Sequence, residues 1–496
     1  MSNVPQSRIR SLNHLPANRD GNFVLYWMIA NRRIEYNFSL QRAVEWSIHL
    51  SKPLVILEAL RCDYRWNSDR IHWFVIQGMH DNHRQAAQNN VIYYPYLEMG
   101  LGEGKGLLER LSGRACVVVS DDFPCFFIPK MTATASRKVP VCIEVIDSNG
   151  VYPMRSTDRV FQRAYDFRRH LQKSIRPHLQ EMPIKNPAHA LRAIASHSLQ
   201  SILPPGTLEQ WPVANLTELI ETGPSCLKQF PIDHSVPVST KLQGGRVRAL
   251  QCLKEFIEQR LAQYADDRNH PDLNVASGLS PYLHFGHISA HEIFLESTKS
   301  ENWSIEQLAS KVTGSSSGWW GASKNLESFL DELTTWRELG FNQCALVENY
   351  DHYESLPAWA IATLDEHAGD AREFVYTLEQ FELAQTHDPL WNAAQNQLRV
   401  EGIMQNYLRM LWGKKILHWT ESPQIALSYL IELNNKYALD GRNPNSYSGI
   451  FWCLGKYDRP WGPERGIFGK IRYMSSDNTR RKLHLDRYLQ QYGTVE

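Results

Sequence analysis

Apolar residues in the first third of the chain arrive in short unbroken runs, at 23–28, 54–57, 91–94, 116–120 and 141–147. Runs this short, rich in Val, Ile, Leu and aromatics, predict buried strands. Between them, 40–50 and 71–89 repeat apolar positions at the spacing of one helix face. Strands alternating with helices predict a mainly parallel sheet covered on both sides, an α/β domain of Rossmann-like layout over residues 1–180. The periodicity then weakens as prolines crowd in, at Pro183, Pro187, Pro204, Pro205, Pro212, Pro224, Pro231 and Pro237. This predicts a partly helical connector over 181–243. Beyond it helical spacing dominates and strand-like runs disappear, so an all-α domain is expected over 244–496.

Composition narrows the classes. A chain of 496 residues, 43% hydrophobic, can bury the core of two or three domains. No apolar stretch approaches the roughly 20 residues needed to span a bilayer. Residues 1–20 are polar, carry Arg8, Arg10 and Arg19, and lack the apolar centre of a secretory signal. The expected location is cytoplasmic, or with the chromosome. The 8 cysteines form no Cys-x-x-Cys pair, which argues against a zinc ribbon or a disulfide framework and leaves no metal site to expect. A net charge of zero excludes a protein that coats nucleic acid through bulk charge. Charge is uneven, however: residues 401–496 hold 14 Lys and Arg against 9 Asp and Glu, densest over 470–487. That is either a local basic surface or a solvated helix face.

The glycine-rich stretch Gly100-Leu101-Gly102-Glu103-Gly104-Lys105-Gly106 invites a phosphate-loop reading, but its spacing fits neither phosphate-binding fingerprint: Met99 stands where the first P-loop glycine belongs and Gly106 where Ser or Thr belongs. A flexible turn is the better reading. Four other segments carry candidate chemistry. Ser277-Gly278-Leu279-Ser280-Pro281 places small hydroxyl residues and glycine just before a helix, where N–H groups and hydroxyls grip a phosphate, although the same residues also serve as ordinary helix caps. In 327–344, Glu332 and Trp336 lie four apart on a helical stripe, so a carboxylate and an indole share a face that suits either a base edge or the solvated margin of a core stripe. Trp412 and Trp419, seven apart on one helix, stand about 10 Å apart along its axis and, with Trp391, suit either core packing or electron hopping. Finally, 440–476 interleaves aromatics with Arg and Lys, the composition of a cleft that takes a displaced base while holding phosphates.

Together these segments resemble the photolyase/cryptochrome family, and within it the class II cyclobutane pyrimidine dimer photolyases. The resemblance is carried by Leu-Ser-Pro-Tyr-Leu-His-Phe-Gly at 279–286, Arg-Met-Leu-Trp-Gly-Lys-Lys-Ile-Leu-His-Trp-Thr at 409–420 and Phe-Gly-Lys-Ile-Arg-Tyr-Met at 468–474. It is strongest from about residue 250 onward and rests, in the first half, on the α/β layout and Val24-Leu25-Tyr26-Trp27-Met28.

The resemblance implies light-driven repair of pyrimidine dimers in ultraviolet-damaged DNA by a monomer. FAD would lie bent inside the helical domain; photoexcited reduced flavin lends an electron to a flipped-out dimer and recovers it once the ring has split. By position, Tyr264, Ser277, Leu279 and Ser280 are similar to the pyrophosphate cradle. Arg409 resembles the arginine beside the isoalloxazine, with Asp440 as its charge partner, and Asn434 resembles the residue facing flavin N5. An amide there accepts from a protonated nitrogen or donates to a bare one. On the substrate side, Glu332 resembles the carboxylate that bonds the dimer, Trp336, Tyr407, Met410 and Trp452 the walls of its pocket, and Arg472 the residue that fills the gap in the duplex. Trp391, Trp412 and Trp419 resemble the class II chain that reduces oxidised flavin in light. The family commonly carries an antenna pigment as well, which the α/β domain would house.

Asn435 and Asn443 depart from the aspartates expected in much of the class, Gly413 from a small helix former, and Phe341 and Gln343 from the usual run after Glu338. These bear on flavin potential and lesion affinity. A signalling cryptochrome of the same fold is opposed by the intact Glu332, Trp336 and Met410 set and by the short stretch after Arg487. An enzyme for the (6-4) lesion is opposed by the absence of its histidine pair. A flavin-free nucleic-acid-binding protein on the same scaffold would be colourless.

Overall fold

The computed structural model describes residues 3–89, 91–194 and 197–493. All five expected strands form, as β2 (Phe23–Met28), β3 (Leu54–Leu60), β4 (Ile92–Leu97), β5 (Ala115–Asp121) and β6 (Ile143–Ile146). A sixth, β1 (Ile9–Ser11), was not expected: it is three residues long, mostly exposed, and pairs antiparallel along β6, too short to show an alternation. The sheet runs β1-β6-β5-β2-β3-β4, and every pairing except that of β1 is parallel.

β2 is buried along its whole length. Its alternate residues enter two different cores: Val24, Tyr26 and Met28 pack on one face, Phe23, Leu25 and Trp27 on the other. That two-sided burial is why the strand reads as a solid apolar run. Helices α1 (Phe38–Leu50) and α2 (Asp69–Gln88) follow β2 and β3. Because the chain leaves β2 toward β3 on one side and returns beside it as β5 on the other, the loops beyond the carboxyl ends of β2 and β5 diverge, leaving a crevice of the kind where open α/β sheets bind ligands. Asp121, at the end of β5, pins the loop after β2 by accepting from the N–H groups of Ile29, Ala30 and Asn31 at 2.8–3.0 Å.

Short helices, Thr207–Gln210 and Leu216–Thr222 among them, punctuate the connector. The remainder is helical, and among the described residues no strand follows β6. Four of its helices matter most here: α3 (Pro389–Glu401), α4 (Asn406–His418), α5 (Pro423–Tyr437) and α6 (Pro444–Cys453). Asp388, Ser422 and Asn443 cap α3, α5 and α6 through side-chain oxygens, each followed by proline at the first helical position. The cap supplies an acceptor for orphan N–H groups, and proline there lacks only a donor that would have had no partner. Asparagine caps as well as aspartate, so Asn443 does the structural part of the expected residue's work.

Two glycines mark close approaches. A Cβ on Gly413 of α4 would fall onto Cys453 Sγ of α6, which explains why no larger helix former stands there. Gly286, at φ 72°, lies so close to the loop after β2 that a Cβ would collide with the Ala30 carbonyl. The Gly286 carbonyl accepts from Arg33 Nη1 at 3.1 Å, locking the helical domain onto the end of the sheet. Among the described residues no helix is long and apolar enough to cross a membrane.

Candidate active site

Three stretches far apart in sequence meet around one cavity of about 130 Å³. Tyr264, Ser277, Leu279 and Ser280 form one wall; Glu332 and Arg337 a second; Arg409, Asp440, Asn443, Asn445 and Ser446 a third. Of the residues singled out from the sequence, Tyr264, Ser277, Leu279, Ser280, Glu332, Arg409 and Asp440 therefore share one space. Asn434 stands immediately behind the wall, its Nδ2 donating to Ser446 Oγ at 2.8 Å.

The electrostatics of this cavity are asymmetric. Arg409 Nη2 and Asp440 form an ion pair at 3.1 Å, carried on the first turns of α4 and the segment joining α5 to α6. Arg268 Nη1 lies 2.5 Å from Glu332 Oε1, and its guanidinium sits over the Tyr264 ring at 5.4 Å. Burial raises the Glu332 carboxyl above the ordinary carboxylate range, with Arg268 opposing the shift. Arg337 is different. It is only 7% exposed, its Nη1 has no partner, and burial lowers its pKa to about 10 while Glu338 and Asp147 pull the other way. A buried guanidinium nitrogen without an acceptor is costly, and Arg337 is also one of the residues that line the cavity.

Glu332 and Trp336 do not sit on a regular α-helix as their spacing suggested. Lys324–Leu330 passes into a π-helical turn, Asp331–Trp336, before α-helix resumes at Arg337–Leu346. Such turns are uncommon and concentrate at functional sites. Thr334 Oγ1 donates to the Leu330 carbonyl at 2.7 Å, and Arg168 clamps Asp331 from outside at 2.6 Å. Trp336 and Trp452 are both half-buried at the rim of one hydrophobic core. Tyr407 and Met410 are half-buried on α4 but, like Trp336, Trp452 and Arg472, they do not line the small cavity. Arg472 stacks on Trp461 at 4.1 Å and on Trp452 at 5.4 Å, and Asp458 holds it at 3.0 Å.

The three tryptophans form a contiguous set in an order the sequence did not reveal. Trp391, on α3, is interposed: its ring stacks on Trp412 at 6.4 Å with 7° between planes, and meets Trp419 edge-on at 6.3 Å. The Trp391 indole N–H donates to the Trp412 carbonyl at 3.1 Å, and that of Trp412 to Gln395 at 2.9 Å. All three are at most 2% exposed. Trp419 caps the end of α4, covered by His387 and Tyr376.

No protein-family model matches the chain. The deoxyribodipyrimidine photo-lyase of Methanothermobacter thermautotrophicus is 30% identical over 490 residues, covering 98% of each chain. The chain belongs to the deoxyribodipyrimidine photo-lyase family. Solved photolyases share the fold: a bacterial class III photolyase from Agrobacterium tumefaciens superposes with a TM-score of 0.68 at 16% identity, over 95% of this chain and 86% of that one. The archaeal photolyase from Sulfolobus tokodaii, crystallised with two FAD molecules, gives 0.62 at 14%, over 95% and 89%.

This photolyase chain holds a second, larger cavity of about 710 Å³ beyond the carboxyl ends of β2, β3 and β4. Trp27, Tyr64, Tyr96, Phe126 and Phe127 give it aromatic walls; Arg61 pairs with Asp63 at 2.7 Å and Lys138 with Glu109 at 2.6 Å within the wall, Arg32 reaches Glu58 outside it at 3.0 Å, and basic lining residues outnumber acidic ones. The 100–106 turn borders it and is not a phosphate loop: Gly100 N–H donates to Glu103 and Gly104 N–H to Glu98, so carboxylates of the chain occupy those donors. His284 and Arg442 line this cavity; His284 Nδ1 meets Nδ2 of Asn443, in the wall of the small one, at 3.1 Å, and Arg442 N–H donates to Asn435 Oδ1, outside that wall, at 2.8 Å. Sequence reasoning missed Arg268, Arg337, Ser446 and the aromatic cavity. The two arginines lay inside or beside segments already singled out and carried no spacing signal of their own.

Proposed function

We propose that the chain is a class II cyclobutane pyrimidine dimer photolyase, which binds FAD in the helical domain and repairs dimers in ultraviolet-damaged DNA under blue light, working as a monomer in the cytoplasm or nucleus. What supports this reading is the convergence of Tyr264, Ser277, Leu279, Ser280, Arg409 and Asp440, named for one cofactor from separated motifs, around a single polar cavity.

The chemistry of the donor set fits FAD. The unpartnered Arg337 nitrogen and the Ser277 and Ser280 hydroxyls suit a pyrophosphate. The Arg409–Asp440 pair keeps a cation near the ring without leaving it uncompensated. The cavity's volume of about 130 Å³ takes part of a dinucleotide, and its polar lining suits the phosphate-bearing part. Reduced and photoexcited, bound FAD supplies a one-electron donor.

The chain's own residues do the remaining work. Glu332, its carboxyl biased by burial toward the protonated form, exchanges Arg268 for a base edge and donates or accepts there. Trp336 and Trp452 hold the displaced bases by apolar contact, with Tyr407 and Met410 closing the pocket. Arg472, already stacked between two indoles, stands ready to fill the space a flipped dimer leaves. Trp419, Trp391 and Trp412 conduct electrons inward in that order. The aromatic cavity in the α/β domain suits a flat antenna pigment, since its size falls in the range of small-molecule sites and aromatic side chains form its walls.

The deciding measurement is an absorption spectrum of the purified protein followed by blue-light repair of a defined thymine dimer in an oligonucleotide. Flavin bands with light-dependent dimer loss are expected. Flavin without repair would return the chain to a signalling role, and no flavin would end the catalytic reading.

A further inference from the structure

Asn434 lies in the last turns of α5, 2% exposed, and its amide is not free to turn. Nδ2 donates to Ser446 Oγ at 2.8 Å and to Asn435 Oδ1 at 3.1 Å. A side-chain amide has two N–H donors and one carbonyl. Both donors are engaged, and among the described residues no donor is bonded to Oδ1. The second partner is itself fixed: Asn435 is fully buried, its Oδ1 also accepts from Arg442 N–H at 2.8 Å, and its Nδ2 donates to Tyr447 OH at 3.2 Å. Ser446, in the first turn of α6, forms part of the cavity wall. The end of α5 and the start of α6 are thus tied through one amide.

We propose that Ser446 and Asn435 are positioning residues that hold Asn434 as a one-way acceptor toward flavin N5. The proposal rests on the reading of Asn434 as the residue facing that nitrogen. A freely rotating asparagine would serve both forms of the cofactor, donating to a bare N5 and accepting from a protonated one. The locked amide serves one. Oxidised flavin presents a lone pair at N5, which faces the carbonyl oxygen unfavourably, whereas reduced flavin presents an N–H that the oxygen accepts. The lock therefore binds reduced FAD in preference to oxidised FAD and raises the midpoint potential. It also accounts for asparagine at 435: its carbonyl orients Asn434 as a carboxylate would, without placing a negative charge near a flavin that becomes anionic on reduction.

The test is a redox titration of the FAD-loaded protein in the dark, comparing wild type with Ser446→Ala, Ser446→Thr and Asn434→Leu. Ser446→Ala frees one amide N–H and is expected to cut the preference for reduced over oxidised FAD about tenfold, which is about 30 mV downward for a two-electron couple. Ser446→Thr keeps the hydroxyl and should restore the wild-type potential, which a general loosening of the helices would not do. If Ser446→Ala does not retain FAD, the same titration on Ser446→Cys decides, because the thiol is a weaker acceptor of similar size. An unshifted potential in Ser446→Ala or Ser446→Cys, with a shift in Asn434→Leu, overturns the lock alone. No shift in Asn434→Leu overturns the assignment of Asn434 to the flavin and the lock with it.

Discussion

The two cavities of this photolyase chain are built on opposite plans. The one in the helical domain is small, about 130 Å³, and is walled by hydroxyls, amides and charges contributed by three segments. The one at the sheet's carboxyl edge is about 710 Å³ and aromatic, and its charged lining residues are mostly basic, Arg32, Lys105, Lys130 and Lys138 among them. The first dictates chemistry, because an unpaired arginine nitrogen and an oriented amide each demand a particular partner. The second selects by shape and by its excess of basic groups. Yet they share a partition, with His284 lining the large cavity and bonded to Asn443 in the wall of the small one.

Cutting the supply of electrons to the small cavity should separate the two most sharply. Trp391→Phe removes the ring that touches both Trp412 and Trp419, and photoreduction of bound FAD is expected to fall at least a hundredfold, while repair after chemical reduction stays normal. Retained photoreduction would take Trp391 out of the path. Trp419→Phe should block photoreduction in the same way. Next in size, Glu332→Ala should lower the repair yield about tenfold, the value of one good hydrogen bond, with FAD content unchanged. A dimer-repair assay beside a flavin spectrum reads both quantities, and equal yields would remove Glu332 from the substrate site.

A smaller effect is expected from filling the large cavity. Ala59→Trp places an indole among its aromatic walls and should abolish uptake of a second pigment while FAD binding and repair under saturating light persist. Loss of FAD in that variant would show that the partition fails to keep the sites apart. The subtlest test lies at the domain junction, where Glu338 accepts from Val151 and Tyr152 N–H at 2.6 and 3.0 Å. Burial raises its carboxyl from an ordinary 4.5 to about 8. The folded state then holds this proton more tightly than the unfolded chain, so stability is full below pH 4.5 and declines as pH rises toward 8. Denaturant melts across that window should show the decline in wild type and a flatter profile in Glu338→Gln.

Much of this architecture was legible because periodicity and burial speak directly through residue type. β2 announced itself by six consecutive apolar residues, since both faces are covered. β1 did not, because three exposed residues pairing on an edge leave no pattern. The residues proposed to hold the cofactor stood inside ordered motifs, and the fold brings Tyr264, Ser277, Leu279, Ser280, Arg409 and Asp440 around one cavity. Arg268 and Arg337 stayed hidden, since their importance comes from their surroundings in space: Glu332 for one, a buried N–H donor without an acceptor for the other. The position of Trp391 between two rings of a different helix was hidden for the same reason. The aromatic cavity, assembled from strand ends and loops, has no sequence signature at all.

The π turn at Asp331–Trp336 finally bears on how the chain tolerates changes in length. A π turn accommodates one residue more than an α turn over the same rise. Deleting Thr334 or Thr335 from it would let the helix close to ordinary pitch while the segments before and after kept their phase. Lys324–Leu330 and Arg337–Leu346, the latter anchored through Arg337 over Phe341 at 4.6 Å, would keep their faces toward the same neighbours. Insertions and deletions are usually tolerated in surface loops; here the π turn gives a buried helix one residue of slack beside the site.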